Sequence, residues 1–231
     1  MKIIAIIPAR GGSKGVKDKN IIDLEGKPLI YYTLKEAEKV SEISRIIVST
    51  ESEQIKLVCD EIGDYIPFMR SDELAQDHSR TIDVVKNIIT RLEKEYNEIY
   101  DYVCLLQPTS PLRMAKDIQN CIDIIKEQGN GSVVSLTKVD EPHPYKMKVI
   151  ENGEVKPFMK GTDSSIPRQE LPEIFELNGA IYLCETSKLI KENTFFGEPS
   201  SPYIMPMERS VNINNHFDLR QARYLLNEKS K

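Results

Sequence analysis

The sequence predicts an α/β fold, a mostly parallel sheet with helices on both faces. Three observations predict it. Short apolar runs rich in β-branched residues alternate with stripes of helical period. Glycine or a capping residue punctuates the handovers. A glycine-rich, cationic loop, "IPARGGSKG", follows the first apolar run, where such folds change from strand to helix.

The elements follow in order. "KIIAIIP" is a buried strand. "PLIYYTLKEAEKV" carries Leu29, Ile30, Thr33, Leu34, Ala37 and Val40 on one helical stripe. "RIIVST" is the second strand. "SEQIKLVCDEIG" is a helix capped by Thr50 or Ser52 and ending near Gly63. "YIPF" is a candidate short strand. "TIDVVKNIITRLEKE" is the clearest helix, with Ile82, Val85, Ile88, Ile89 and Leu92 on one face. "DYVCLLQ" is a strand buried on both sides, "AKDIQNCIDIIKEQG" a helix stopped by glycine, and "GSVVSLTKV" a further strand.

The rhythm breaks near residue 139. The stretch from there to 177 is rich in proline, and "KVIENGEVKPF" places Asn152-Gly153 between two extended halves, a hairpin signal. An irregular insert of roughly 35 residues in a compact domain points to a lid or an arm. The sheet resumes at "NGAIYLC", and "HFDLRQARYLLNE" is a closing amphipathic helix. The whole reads as one domain, 1–231, with an inserted arm at 139–177.

Composition bounds the function. The net charge is −5, which argues against a nucleic-acid partner, since that needs a basic face. No apolar run approaches the roughly 20 residues needed to cross a bilayer, and the first residues lack a signal-peptide core, so no membrane partner and a cytoplasmic location are expected. The 4 cysteines and 3 histidines lack metal-like spacing. Buried, reduced thiols are expected at Cys59, Cys104, Cys121 and Cys184.

The loop at 7–15 fails two common phosphate fingerprints. The ATP-binding pattern needs Ser or Thr after Lys14, where Gly15 stands. The dinucleotide pattern needs glycine where Arg10 stands. What remains is Ala9, Arg10, Gly11, Gly12, Ser13, Lys14 and Gly15, followed by Lys17, Lys19 and Asn20. Glycines let backbone N–H groups approach an anion, and four cations suit a triphosphate. The alternative is a solvated basic turn.

At this point the sequence resembles the acylneuraminate cytidylyltransferases, the CMP-sialic acid synthetase family. "IPARGGSKGVKDKN" is similar to that family's signature. "RSDELAQDHSRT", "LLQPTSPLR", "HPYK", "PRQELP", "NGAIY" and "ERSVNINNHFDL" resemble further family motifs in the same order, over nearly the whole chain. The resemblance implies a three-layer α/β/α Rossmann-like nucleotidyltransferase domain. It implies transfer of CMP from CTP to the anomeric hydroxyl of a nonulosonic (sialic-type) sugar acid, such as a legionaminate, with release of pyrophosphate and a magnesium ion as cofactor. It also implies a homodimer, with residues 139–177 as a dimerisation and sugar-binding arm that crosses to the partner.

The same resemblance distributes roles. Arg10 and Lys19 grip the triphosphate and are the catalytic candidates. Ala9, Gly11, Gly12, Ser13 and Asn20 complete the nucleotide loop. Arg70, Ser79 and Thr81 face the cytosine, although Ser79 or Thr81 also suits a helix cap. Asp77 orients the loop. Gln107 and Ser110 lie beyond a strand's carboxyl end, where α/β sheets bind ligands; Thr109 or Ser110 as a helix cap is the alternative. Lys146 and Arg168, with Gln169, match the sugar-side cations that would meet a carboxylate. His143 is expected to pack or cap a turn. One departure stands out. The family's metal-binding Asp-x-Asp pair is replaced by Asn212 and Asn214, neutral oxygen donors and weaker ligands for a hard cation. Asp218 is a possible substitute or a first-turn acid of the last helix. Two other readings stay open: a nucleotidyltransferase for another acceptor, and a non-catalytic nucleotide-binding homologue.

Overall fold

The computed structural model describes residues 1–13, 15–162 and 164–229. Strand β1 (Ile3–Pro8) leads through the glycine-rich loop and a 3-10 turn at Lys19–Ile21 to a two-strand ribbon, β2 (Asp23–Leu24) and β3 (Lys27–Pro28). Helix α1 (Leu29–Glu38), strand β4 (Ile43–Ser49), helix α2 (Glu53–Asp60), helix α3 (Thr81–Tyr96), strand β5 (Tyr102–Leu106), helix α4 (Ala115–Gln128) and strand β6 (Ser132–Val139) follow. Then come a hairpin, β7 (Lys148–Glu151) with β8 (Glu154–Pro157), the long strand β9 (Ile174–Glu185), helix α5 (Thr186–Glu192), strand β10 (Ser200–Met205) and helix α6 (His216–Lys229).

The main sheet has the order β10-β6-β9-β5-β1-β4. Every neighbouring pair is parallel except those of β9, which runs antiparallel to both β5 and β6. The sheet is therefore mostly parallel, as expected. Parallel strands need both faces covered, and β1 shows how. Ile3, Ala5 and Ile7 face one core with Ile30 and Leu34 of α1 and Ile118 and Ile122 of α4. Ile4 and Ile6 face the other, with Val85, Ile88 and Leu92 of α3. The alternation is the two-residue period of a strand read against the helical period of its covers. A third cluster seats α6, joining Leu24, Leu29 and Leu112 to Val211, Ile213 and Leu219.

Several expectations are refined. Ser52 caps α2: its Oγ accepts from Ile55 N at 3.3 Å. The hairpin turn lies at Asn152-Gly153, both at positive φ. "YIPF" is not a strand; it runs beside β4 and gives one bond, Val48 N to Tyr65 O at 2.9 Å. Strand β10 escaped notice because Pro202 interrupts it, and proline belongs on an edge. It is the edge strand next to β6. The four cysteines are buried and free of disulfides, and burial pushes the Cys104 thiol up to about 12. Among the described residues no helix is long and apolar enough to cross a membrane.

Candidate active site

A cleft of about 350 Å³ opens beyond the carboxyl ends of β1 and β5. Two neighbouring parallel strands end there, so their loops converge on one point. From the first loop come Arg10, Ser13, Gly15, Lys19 and Asn20. From the loop after β5 come Gln107, Pro108 and Thr109. Arg70 and Asn214 also line it.

Each cation is held by the fold. Lys19 is half-buried and donates from Nζ to Ile213 O at 2.9 Å. Burial lowers its pKa, the nearby Arg10 lowers it further, and Asp218 works the other way. Arg70 has a side chain only 5% exposed. Its Nε donates to Ser49 Oγ at 3.1 Å, and its guanidinium also bonds Ser49 O. Burial lowers its pKa as well. Arg10 pairs with Asp77 of the 70–81 segment at 2.8 Å. Asn20 is buried and donates to Arg10 O at 2.9 Å, fixing the loop from beneath.

The glycines divide by purpose. A Cβ on Gly15 would overlap the Asn214 carbonyl, and one on Gly11 would lie 3.0 Å from Ser52 Cβ. Those two glycines permit close approach of protein to protein. Gly12 has open space. Moreover, the Gly11 N–H is already occupied, donating to Glu51 Oε1 at 2.7 Å.

Other candidates sit elsewhere. Ala9 is fully buried, with its N–H on Ser49 O at 2.9 Å. Ser110 is fully buried and donates to Asn178 O at 3.3 Å, which places it under the cleft and not on its lining. Neither Thr109 nor Ser110 caps α4, whose first residue is Ala115 and whose cap position is Met114. Ser79 donates to Glu73 O at 3.0 Å, and Thr81 begins α3 after the cap position Arg80. Neither lines the cleft. The Lys14 reading lies outside the described residues.

The Asn pair lies on the strap between β10 and α6. Ile213 N donates to Thr109 O at 2.8 Å, so this strap is pinned from both sides. Asn214 lines the cleft and also a second hollow shared with Asn212 and Asp218. The Asn212 Oδ1 is buried with no hydrogen-bond partner among the described residues, an oxygen suited to a hard cation. Asp218 is committed to capping α6: its Oδ2 accepts from Asn214 N at 2.7 Å and from Asn215 N at 3.0 Å. Among the described residues no group of three or more His, Cys, Asp or Glu side chains gathers into a metal cage.

The arm residues form a separate hollow. Arg168 and Gln169 line it with His143, Asp140 and Glu173. Lys146 does not line it and stands 3.9 Å from Glu141. His143 is buried and caps its turn: Nδ1 accepts from Tyr145 N at 3.2 Å.

Two supports were not singled out in the sequence for a role. Arg113 is fully buried, bonds Ala180 O at 2.8 Å and Gln107 O at 3.2 Å, and is pushed down to about 10 by burial. Asp117 is fully buried and accepts two bonds from Arg209, at 2.6 and 3.1 Å, and one from Tyr203 OH at 2.9 Å. Burial alone would raise the Asp117 carboxyl, but these bonds and Met114 N–H hold it below the usual range. A charged residue inside an otherwise apolar helix stripe was the available signal.

Comparison with known proteins gives the family and the fold. The family model described as "Cytidylyltransferase" matches residues 4–148. The chain is 36% identical over 220 residues to the CMP-N,N'-diacetyllegionaminic acid synthase of Legionella pneumophila, covering 94% of this chain and 93% of that protein. It is 34% identical to an N-acylneuraminate cytidylyltransferase of Streptococcus agalactiae, covering 94% of this chain and 52% of that protein. Thus it spans about half the length of that second relative. Among solved structures, a CMP:2-keto-3-deoxy-manno-octonic acid synthetase complexed with CTP superposes with a TM-score of 0.71 at 16% identity, covering 99% of this chain and all of the other, a likeness of fold.

Proposed function

The chain belongs to the cytidylyltransferase family, and we propose that it makes a CMP-activated nonulosonic acid from CTP. The observation that carries this reading is the convergence of Arg10, Lys19 and Arg70 on one cleft at the head of β1 and β5. The sugar's anomeric oxygen forms a bond to the α-phosphorus, the bond to the β-phosphate breaks, and pyrophosphate and the hydroxyl proton are released. The protein's part is positioning and stabilising charge. Lys19 and Arg10 hold the triphosphate, with Ser13 and Asn20 beside them. Arg70 and Gln107 bound the nucleoside end. Ala9, Gly11 and Gly12 shape the loop, and Ser79 and Thr81, which do not line the cleft, support the base side from the segment that follows Arg70. Lys146, Arg168 and Gln169 serve the sugar acid's carboxylate, with Ser110 supporting the floor.

A magnesium ion, held by the phosphates with Asn212 and Asn214 as neutral ligands, would supply charge neutralisation. Asn214→Asp is expected to tighten magnesium, read as a lower metal concentration for half-maximal pyrophosphate release. No change would sink the assignment. We further propose that the arm at 139–177 of the single domain docks on a second copy, giving a homodimer, and that the enzyme works in the cytoplasm. The neutral metal pair favours one other reading, a nucleotide-binding homologue without turnover. One assay separates them: CTP, magnesium and a panel of sugar acids, with pyrophosphate measured. Release only with nonulosonic acids supports the proposal. Release with another acceptor redirects it, and CTP binding without turnover favours the homologue.

A further inference from the structure

Glu51 follows β4 and approaches the phosphate loop from the neighbouring strand. Its Oε1 accepts the Gly11 N–H at 2.7 Å. Its Oε2 is buried and has no hydrogen-bond partner among the described residues. It forms an ion pair with Arg70, whose Nε lies 3.9 Å from Oε2. The side chain as a whole is 15% exposed. A carboxylate with one oxygen short of a hydrogen bond, beside an anion site, is costly twice over: that oxygen is desolvated, and its charge repels the phosphates the site is read to hold.

Two features explain why it stands there. A charge-assisted bond to a backbone N–H is strong, and it ties the loop to β4 at the residue that packs 3.0 Å from Ser52 if given a Cβ. Arg70 also feels Arg10 as a like charge and Glu51 as the opposite one. We propose that Glu51 is a positioning residue, which holds the phosphate loop in its anion-binding shape through the Gly11 N–H and seats Arg70 opposite Arg10. This rests on reading the cleft as a triphosphate site.

Position and charge have opposite signs, so they can be told apart. A carboxylate that merely stood nearby would, when neutralised, let anions bind more tightly. A positioning residue does the reverse when its acceptor is withdrawn. The probe is inorganic tripolyphosphate, titrated by calorimetry, with CTP titrated in parallel. Glu51→Ala is expected to weaken tripolyphosphate about tenfold, despite removing a negative charge. Glu51→Gln keeps an acceptor for Gly11 N–H and is expected to bind within about threefold of wild type or more tightly. Glu51→Asp keeps the charge but shortens the reach, and is expected to weaken binding several-fold even if the alanine variant fails to fold. Alanine and aspartate variants that bind as wild type, or more tightly, would overturn the proposal. Wild-type protein that holds tripolyphosphate but gains nothing from the cytidine moiety would count against the nucleotide reading and leave the Glu51 result standing.

Discussion

The cleft at the head of β1 and β5 and the arm between β6 and β9 both carry cations, but they hold them differently. At the cleft, Lys19 is half-buried on a backbone carbonyl, Arg70 is almost wholly enclosed, and Arg10, 34% exposed, is held by a closer pair, 2.8 Å from Asp77. On the arm, the Lys146 and Arg168 side chains are 36% and 57% exposed, with acids 3.9 and 3.5 Å away. Exposed pairs at such distances contribute little and are screened by salt. The difference teaches that the cleft's charge is preset by the fold, whereas the arm's charge gains strength only when something removes it from water. In the proposed dimer, a second copy would do so.

Substitutions can break or sharpen that contrast. Lys19→Ala should lower turnover by about 10²–10³-fold, the scale of removing one preorganised donor, with thermal stability little changed. Pyrophosphate release and a melting curve check it. Affinity for CTP should also fall as pH rises through the lowered Lys19 pKa, below the ordinary 10.5, because the neutral amine no longer attracts phosphate. Lys19→Arg should keep affinity to higher pH.

Arg209→Ala strips the main partner from buried Asp117 and should destabilise the fold by about 3 kcal/mol in denaturant unfolding. The sign with pH follows. The Asp117 carboxyl is depressed in the folded state, so its contribution is full above its unfolded value of 3.8 and is lost as pH falls through the lower folded value. That acid-side loss should shrink in the variant.

Smaller effects are expected on the arm. Arg168→Gln should raise KM for the sugar acid about tenfold and leave KM for CTP unchanged, consistent with one charge-assisted pair. Lys146→Gln should change the same KM by about threefold or less, and less again at high salt. Equal effects on both substrates would erase the proposed division between cleft and arm.

How much could be read in advance depended on distance along the chain. Strands β1 and β5 and helix α3 were legible because burial on two faces leaves apolar runs, and burial on one leaves a 3.6-residue stripe. Pro202 hid β10, since an edge strand tolerates what a central strand does not. That Arg10, Lys19 and Gln107 meet in one cleft was legible because loops beyond strand ends converge. Ser110, expected to face substrate, is instead buried with its hydroxyl on the Asn178 carbonyl, a partner 68 residues along that no local pattern indicates.

The sequence by itself determined the layering, the strand and helix rhythm, and the gathering of cations at a strand's carboxyl end, because these follow from local periodicity and a short loop. Only the tertiary structure decided what each of those groups bonds. Glu51 meets Gly11 across 40 residues and Asp117 meets Arg209 across 92. Such partners are chosen by how the strands and helices pack, which no local pattern encodes. The same packing gave Gly11 and Gly15 to protein neighbours and left Gly12 facing open space.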